Sequence, residues 1–138
     1  MYGNREQMRR VYIDVWHKLH QGQPLEPMEA LVAALIEEHP EYHALLGDNE
    51  KALNADFHPD SGQENPFLHL AMHLALREQV ATDRPAGIRP QHERLSRQLG
   101  AHAAEHAMME CLGEALWAAQ RNGTPPDEPA YLDCLKRL

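Results

Sequence analysis

Residues 65–73, NPFLHLAMH, set two imidazoles four positions apart in a run that is otherwise almost wholly apolar. Asn65 followed by Pro66 is a favoured helix start. The asparagine side chain can cap exposed N–H groups, and a proline at the first helical position gives up no hydrogen bond. The helix this predicts runs to about residue 82, where DRPAGIRP (residues 83–90) breaks it. On it His69 and His73 share one face with Met72, Leu76 and Val80, the side expected to face a core.

The same periodicity extends in both directions. β-branched residues are scarce and no segment sustains apolar/polar alternation, so the expected class is all-α: a helical bundle of four main helices plus a short C-terminal helix, forming one domain over residues 1–138. A first helix is expected over residues 4–20, with Met8, Tyr12, Val15, Trp16 and Leu19 on its stripe. It stops at QGQP, where Gly22 suits a C-terminal cap and Pro24 prevents continuation. A second begins near Pro27, is kinked or broken by Pro40, and has a further piece to about residue 46. Residues 47–65 carry turn chemistry around one short helical piece at 50–53. A fourth helix spans residues 90–121, bent or interrupted at Gly100, and AYLDCLKRL (residues 130–138) closes the chain.

Composition narrows the function classes. The chain has 138 residues, 43% of them hydrophobic and 25% charged, an ordinary balance for a globular domain. A net charge of -8 repels phosphate backbones, so no nucleic-acid partner is expected; Arg5, Arg9 and Arg10 read as a solvated helix face. No run is long and apolar enough to span a membrane and no leader pattern is visible, so the expected location is cytoplasmic, without a membrane partner. Cys111 and Cys134 have no nearby second cysteine to make a zinc-type pair, and free thiols in a reducing compartment are expected. No Gly-rich phosphate loop, Ser-His-Asp order or activated-cysteine motif is present.

The anomaly is histidine, ten residues in all. His-x-x-x-His occurs at His39/His43, His69/His73 and His102/His106, once on each of three predicted helices. Each pair lies near the centre of an apolar stripe: the first with Met28, Val32, Ile36 and Leu46, the last with Leu95, Leu99, Met109 and Leu116. His17 falls off its helix's stripe and His20 only reaches the edge, so the placement is selective. A buried ring without a partner is costly, and helices use their carbonyls internally. A metal satisfies several rings together, and neutral imidazole suits iron, zinc, copper or nickel. Six nitrogens exceed one tetrahedral site, so two metals, or rings that orient other ligands, are expected. Glu110 continues the stripe of His102 and His106 and is the best carboxylate candidate. Glu105, on the opposite edge, is a ligand or an orienting partner. Glu78 follows His73 by five. Asp56 and His58 in ADFHPD read as loop polar residues.

These stretches also carry resemblances. HPEYH, NPFLHLAMHLALREQ, DRPAGIR, AEHAMMECLGEALW and PAYLDCLKRL make nearly the whole chain resemble an uncharacterised bacterial family, domain of unknown function 1841, which brings no established activity. The ligand spacing partly resembles that of hemerythrin-like proteins, four-helix bundles that hold two irons with five histidines and two bridging carboxylates. His106/Glu110 is similar to their His-x3-Glu element, His73/Glu78 to His-x4-Asp with glutamate substituted, and His39/His43 to His-x3-His; His69 and His102 are additional. A third likeness is to metal-dependent bundles related to damage-inducible proteins and thiol transferases, where three histidines hold one metal.

The leading expectation is therefore a buried His-rich site for two non-haem irons, with His39, His43, His69, His73, His102, His106, Glu110 and Glu78 as candidate ligands. Dioxygen or peroxide would be the small-molecule partner. The alternatives are a mononuclear zinc hydrolase or transferase, an electron-transfer or storage protein using the same site without turnover, and a non-enzymatic interaction domain with structural histidines.

Overall fold

Among the described residues, each predicted break in the helical pattern is a break in the molecule, and one of them is sharper than expected. The computed structural model describes residues 5–57 and 65–138; Asn4, the expected first helical residue, and His58 lie outside them. The described residues form eight α-helices and one 3-10 turn: α1 Arg5–His20, α2 Pro27–Glu37, the 3-10 turn Pro40–Tyr42, α3 His43–Leu46, α4 Asn49–Asn54, α5 Pro66–Thr82, α6 Ile88–Leu99, α7 Ala101–Asn122 and α8 Glu128–Lys136. The fold class is all-α. No described helix is long and apolar enough to cross a membrane. The chain divides into two compact units, Met1–Ala71 and Met72–Leu138, and the division falls inside α5.

In the first unit, α1 ends as its glycine demands. Gly22 adopts φ +65° and Gln23 N–H reaches back to Lys18 O at 2.9 Å. Glu26 and Glu29 form a reciprocal cap that opens α2, and Lys18 joins Glu29 at 2.7 Å. The apolar core draws Tyr12, Ile13 and Val15 from α1, Leu35 and Ile36 from α2, Leu46 from α3 and Phe67 and Leu70 from α5. Met8, expected on the inner stripe, is 41% exposed.

Arg9 corrects the expectation of a solvated basic face: it is 2% exposed. Its guanidinium donates to Ala52 O at 3.0 Å and Ala55 O at 2.8 Å, and stacks 4.8 Å from the Phe67 ring centroid. The reason is α4. A six-residue helix leaves most of its C-terminal carbonyls without intrahelical donors, and a planar fork of five N–H groups supplies them. Arg10 does face solvent and pairs with Glu6.

In the second unit, α5 stops at Asp83, which has φ 51°, with Arg84 N–H bonded to Gln79 O at 3.0 Å. The Arg89 side chain caps the same end through Val80 O and Ala81 O. α6 starts at Ile88, two residues before the predicted start. Gly100, at φ 86° and ψ 156°, breaks the expected long helix into α6 and α7, because that backbone region is closed to residues with a Cβ. Asp127 accepts a hydrogen bond from Ala130 N and starts α8. Leu76, Ile88, Leu95, Ala104, Met108 and Leu135 are fully buried in this unit's core. The Tyr131 hydroxyl donates to Gln79 Oε1 at 2.8 Å, and burial pushes its ionisation above the ordinary phenol range.

The cysteines are the second correction. Cys111 of α7 and Cys134 of α8 form a disulfide with Cα atoms 5.8 Å apart, so neither is a free thiol. The sequence reading weighed only nearby cysteines as partners. The fold brings together two that are 23 residues apart, because α8 packs on α7.

Candidate metal centre

The histidines of the first unit are organised by what Pro40 lacks. In a continuing helix the N–H of residue 40 would bond to Ile36 O, but proline has no N–H. The backbone tightens instead: His39 N–H bonds to Ile36 O at 3.1 Å rather than to Leu35 O. One imidazole takes up the vacated Leu35 O, and a second joins the His39 N–H on Ile36 O. His39 Nδ1 donates to Leu35 O at 2.7 Å, and His43 Nε2 donates to Ile36 O at 2.7 Å. The premise that helices have no carbonyls to spare therefore fails here, and His39/His43 is not a simple same-face helical pair.

The two rings end in different situations. His39 is 3% exposed. With Nδ1 protonated, the neutral ring carries its lone pair on Nε2. It lies parallel to Tyr42 and edge-on to His69, whose ring centroid is 5.3 Å away. His43 is half-buried beside Trp16, 4.7 Å between ring centroids, and its Nε2 is committed to the backbone.

His69 is held by α5, whose start is the one the sequence predicts. Asn65 Oδ1 accepts from Phe67 N at 3.0 Å and Leu68 N at 3.3 Å, and Pro66 opens the helix. One turn later on the same helix comes His73. His39 and His69 each offer a ring nitrogen within 4.8 Å of the other's.

In the second unit His73 is 1% exposed. Its Nδ1 makes a very short hydrogen bond to Glu105 Oε1 of α7. Arg77, one turn beyond His73, closes the network: its Nε is 3.2 Å from both Glu105 oxygens, and its terminal nitrogen is 3.1 Å from Oε1. Burial alone would push the Glu105 carboxyl up. The hydrogen bonds and positive charge of His73 and Arg77 outweigh it and hold the group at about 2. Glu105 is therefore a carboxylate and His73 Nδ1 is the donor, so that a metal would be met by Nε2. A carboxylate on the far nitrogen is the arrangement that orients a histidine toward a metal.

The remaining candidates lie beyond these contacts to different degrees. The His106 ring stands edge-on to His73, 4.9 Å between centroids. Burial, then the neighbouring His73 and His102, lower its basicity. His102 is exposed and touches His106 at 4.3 Å between centroids. Glu110 is exposed and Glu78 half-buried. Among the described residues no hydrogen bond or ion pair joins either glutamate to the histidines. His17 bonds to Asn49 and His20 to Trp16 O, consistent with their positions off the stripe.

Glu105, one of two roles open to it in the sequence, takes up an orienting contact. Arg77 was missed. Its signal was present, since it is the cation four residues after His73 on a largely apolar helix, and that spacing puts the two on one face.

No curated protein and no solved structure matches the chain. The family model described as Domain of unknown function (DUF1841) matches residues 4–137, and the chain belongs to that family.

Proposed function

We propose that the protein binds a divalent transition metal through its buried imidazoles: His39 Nε2 with a ring nitrogen of His69 in the first unit, and His73 Nε2, positioned by Glu105 and Arg77, in the second. One observation carries this reading. Two nearly fully buried imidazoles each donate a hydrogen bond from Nδ1 to a fixed acceptor, Leu35 O and the Glu105 carboxylate, so a metal would be met by the same distal nitrogen in each. α5 supplies the third ring between them in sequence. Imidazole ligands suit zinc or ferrous iron and leave coordination positions for a small ligand. Zinc there would polarise water for hydrolysis or transfer; iron would serve dioxygen or peroxide.

The dinuclear iron reading keeps one point in its favour, the rings of His106 and His102 next to His73. It requires carboxylate bridges from Glu110 or Glu78, whereas Glu105 is already engaged by His73 and Arg77.

The test is elemental analysis of untagged protein purified without chelator, and again after anaerobic reconstitution with iron(II) or zinc(II). The histidine reading requires at least one metal per chain, reduced in His39→Ala, His69→Ala and His73→Ala and retained in full in Glu110→Ala and His17→Ala. About two irons per chain, lost in Glu110→Ala, would replace it with the dinuclear centre. No metal under any condition would leave the histidines as structural groups of an interaction domain.

A further inference from the structure

Away from the histidines, α7 and α8 enclose an open cleft of about 350 Å³ in the second unit, and the disulfide forms part of its wall. The two sulfurs are not equivalent. Cys111 is 2% exposed within the core, whereas Cys134 is only half-buried. Glu114 and Arg137, both exposed, line the cleft with opposite charges, and Glu114 Oε2 lies 3.7 Å from Cys134 Sγ. A disulfide sulfur has no proton to give, so this carboxylate becomes a hydrogen-bond acceptor only once Cys134 is a thiol.

The geometry points to a thiol-exchange site: a small zwitterionic thiol enters the cleft, its carboxylate toward Arg137 and its ammonium toward Glu114, and reacts at Cys134. Its thiolate attacks Cys134 Sγ and a mixed disulfide forms. The Cys111–Cys134 bond breaks with its electron pair on Cys111, which takes a proton from water. A second molecule of the thiol, as thiolate, attacks the ligand sulfur of the mixed disulfide. Cys134 leaves as thiolate, is protonated, and donates to Glu114. In balance, two small thiols are oxidised to one disulfide and the protein disulfide is reduced to two thiols. In the native chain Cys111, held beside the mixed disulfide, returns the first step; the adduct accumulates only when Cys111 is replaced.

The experiment exposes the folded Cys111→Ser protein to the oxidised forms of cysteine and of 2-mercaptoethanol. Adduct formation at Cys134 is followed by intact mass and peptide mapping, with each rate divided by that of the same protein unfolded in urea. The expected result is an adduct on Cys134 in both cases. Cysteine should be favoured about fivefold after correction, and the preference should vanish in a Cys111→Ser/Arg137→Ala protein. Cys134→Ser, with only the buried thiol left, should stay unmodified. Should Cys111→Ser not fold, the reduction rate of the native disulfide by free cysteine against free 2-mercaptoethanol, corrected in the same way, carries the same comparison. Equal corrected rates, modification of Cys111 as fast as Cys134, or reaction only after the helical circular-dichroism signal is lost would each overturn the proposal and leave the bond a structural brace.

Discussion

His39 in the first unit and His73 in the second are both nearly inaccessible to water, and both donate a hydrogen bond from Nδ1. They donate it to different kinds of group. His39 bonds to a carbonyl that became available because the next residue is a proline. His73 bonds to a carboxylate that arrives from another helix with an arginine behind it. The first arrangement is neutral, local in sequence and made by the backbone; the second is charged, spans 32 positions and is made by side chains alone. The same ring orientation can therefore rest on foundations of unequal strength, and the two should fail differently.

Removing the acceptor in the second unit should have the larger effect. Glu105→Ala leaves a buried imidazole and a guanidinium facing each other, and should cost about 3 to 5 kcal/mol in urea unfolding of metal-free protein. If it costs no more than an average substitution, the network is not a charged foundation and the contrast with His39 falls.

Acid should weaken the second arrangement. The Glu105 carboxyl ionises at about 2 in the folded chain against 4.5 ordinarily. Its contribution is fully present above about pH 4.5, where the unfolded chain's carboxyl is also ionised, and is lost as pH falls toward 2. That contribution is on the order of 3 kcal/mol. Native protein should lose stability through this window more steeply than Glu105→Gln; parallel profiles would contradict the assignment. The disulfide is a purely second-unit brace. Replacing both cysteines with serine should lower stability by about 3 kcal/mol, given the 23-residue separation.

On the neutral side, His39→Ala should cost about 2 kcal/mol, the loss of one buried hydrogen bond and some packing. His17→Ala sets the floor: a surface ring bonded to Asn49 should change stability by about 0.5 kcal/mol or less. An effect as large as that of His39→Ala would remove the ground for separating buried from peripheral histidines.

What was legible in the sequence follows from the same distinction between local and distant causes. The α5 start at Asn65-Pro66, the stop at Gly22 and the break after Glu37 are decided within a few residues by caps, left-handed glycine and a missing N–H. All were readable. The histidine spacing was readable as well, because a helix makes four-residue spacing spatial. Which nitrogen each ring presents was not, since that depends on Leu35 O for one ring and on Glu105 for the other. The burial of Arg9 and the Cys111–Cys134 bond were misread for a common reason. In each case the deciding partner belongs to a helix far along the chain, and no periodicity within α1 or α7 announces it.

Pro40 has a consequence for how this sequence can drift. Positions 39, 40 and 43 are one heritable unit, because the two imidazoles answer a vacancy that only the imino acid creates. A lineage that first exchanges Pro40 for a residue with an N–H gains a backbone donor for Ile36 O, and position 43 is then free to vary. A lineage that loses His43 first removes one of the two donors to Ile36 O and must pass through a less stable chain. The order of substitutions is therefore not interchangeable, and His43 should outlast Pro40 only where it has acquired a second use.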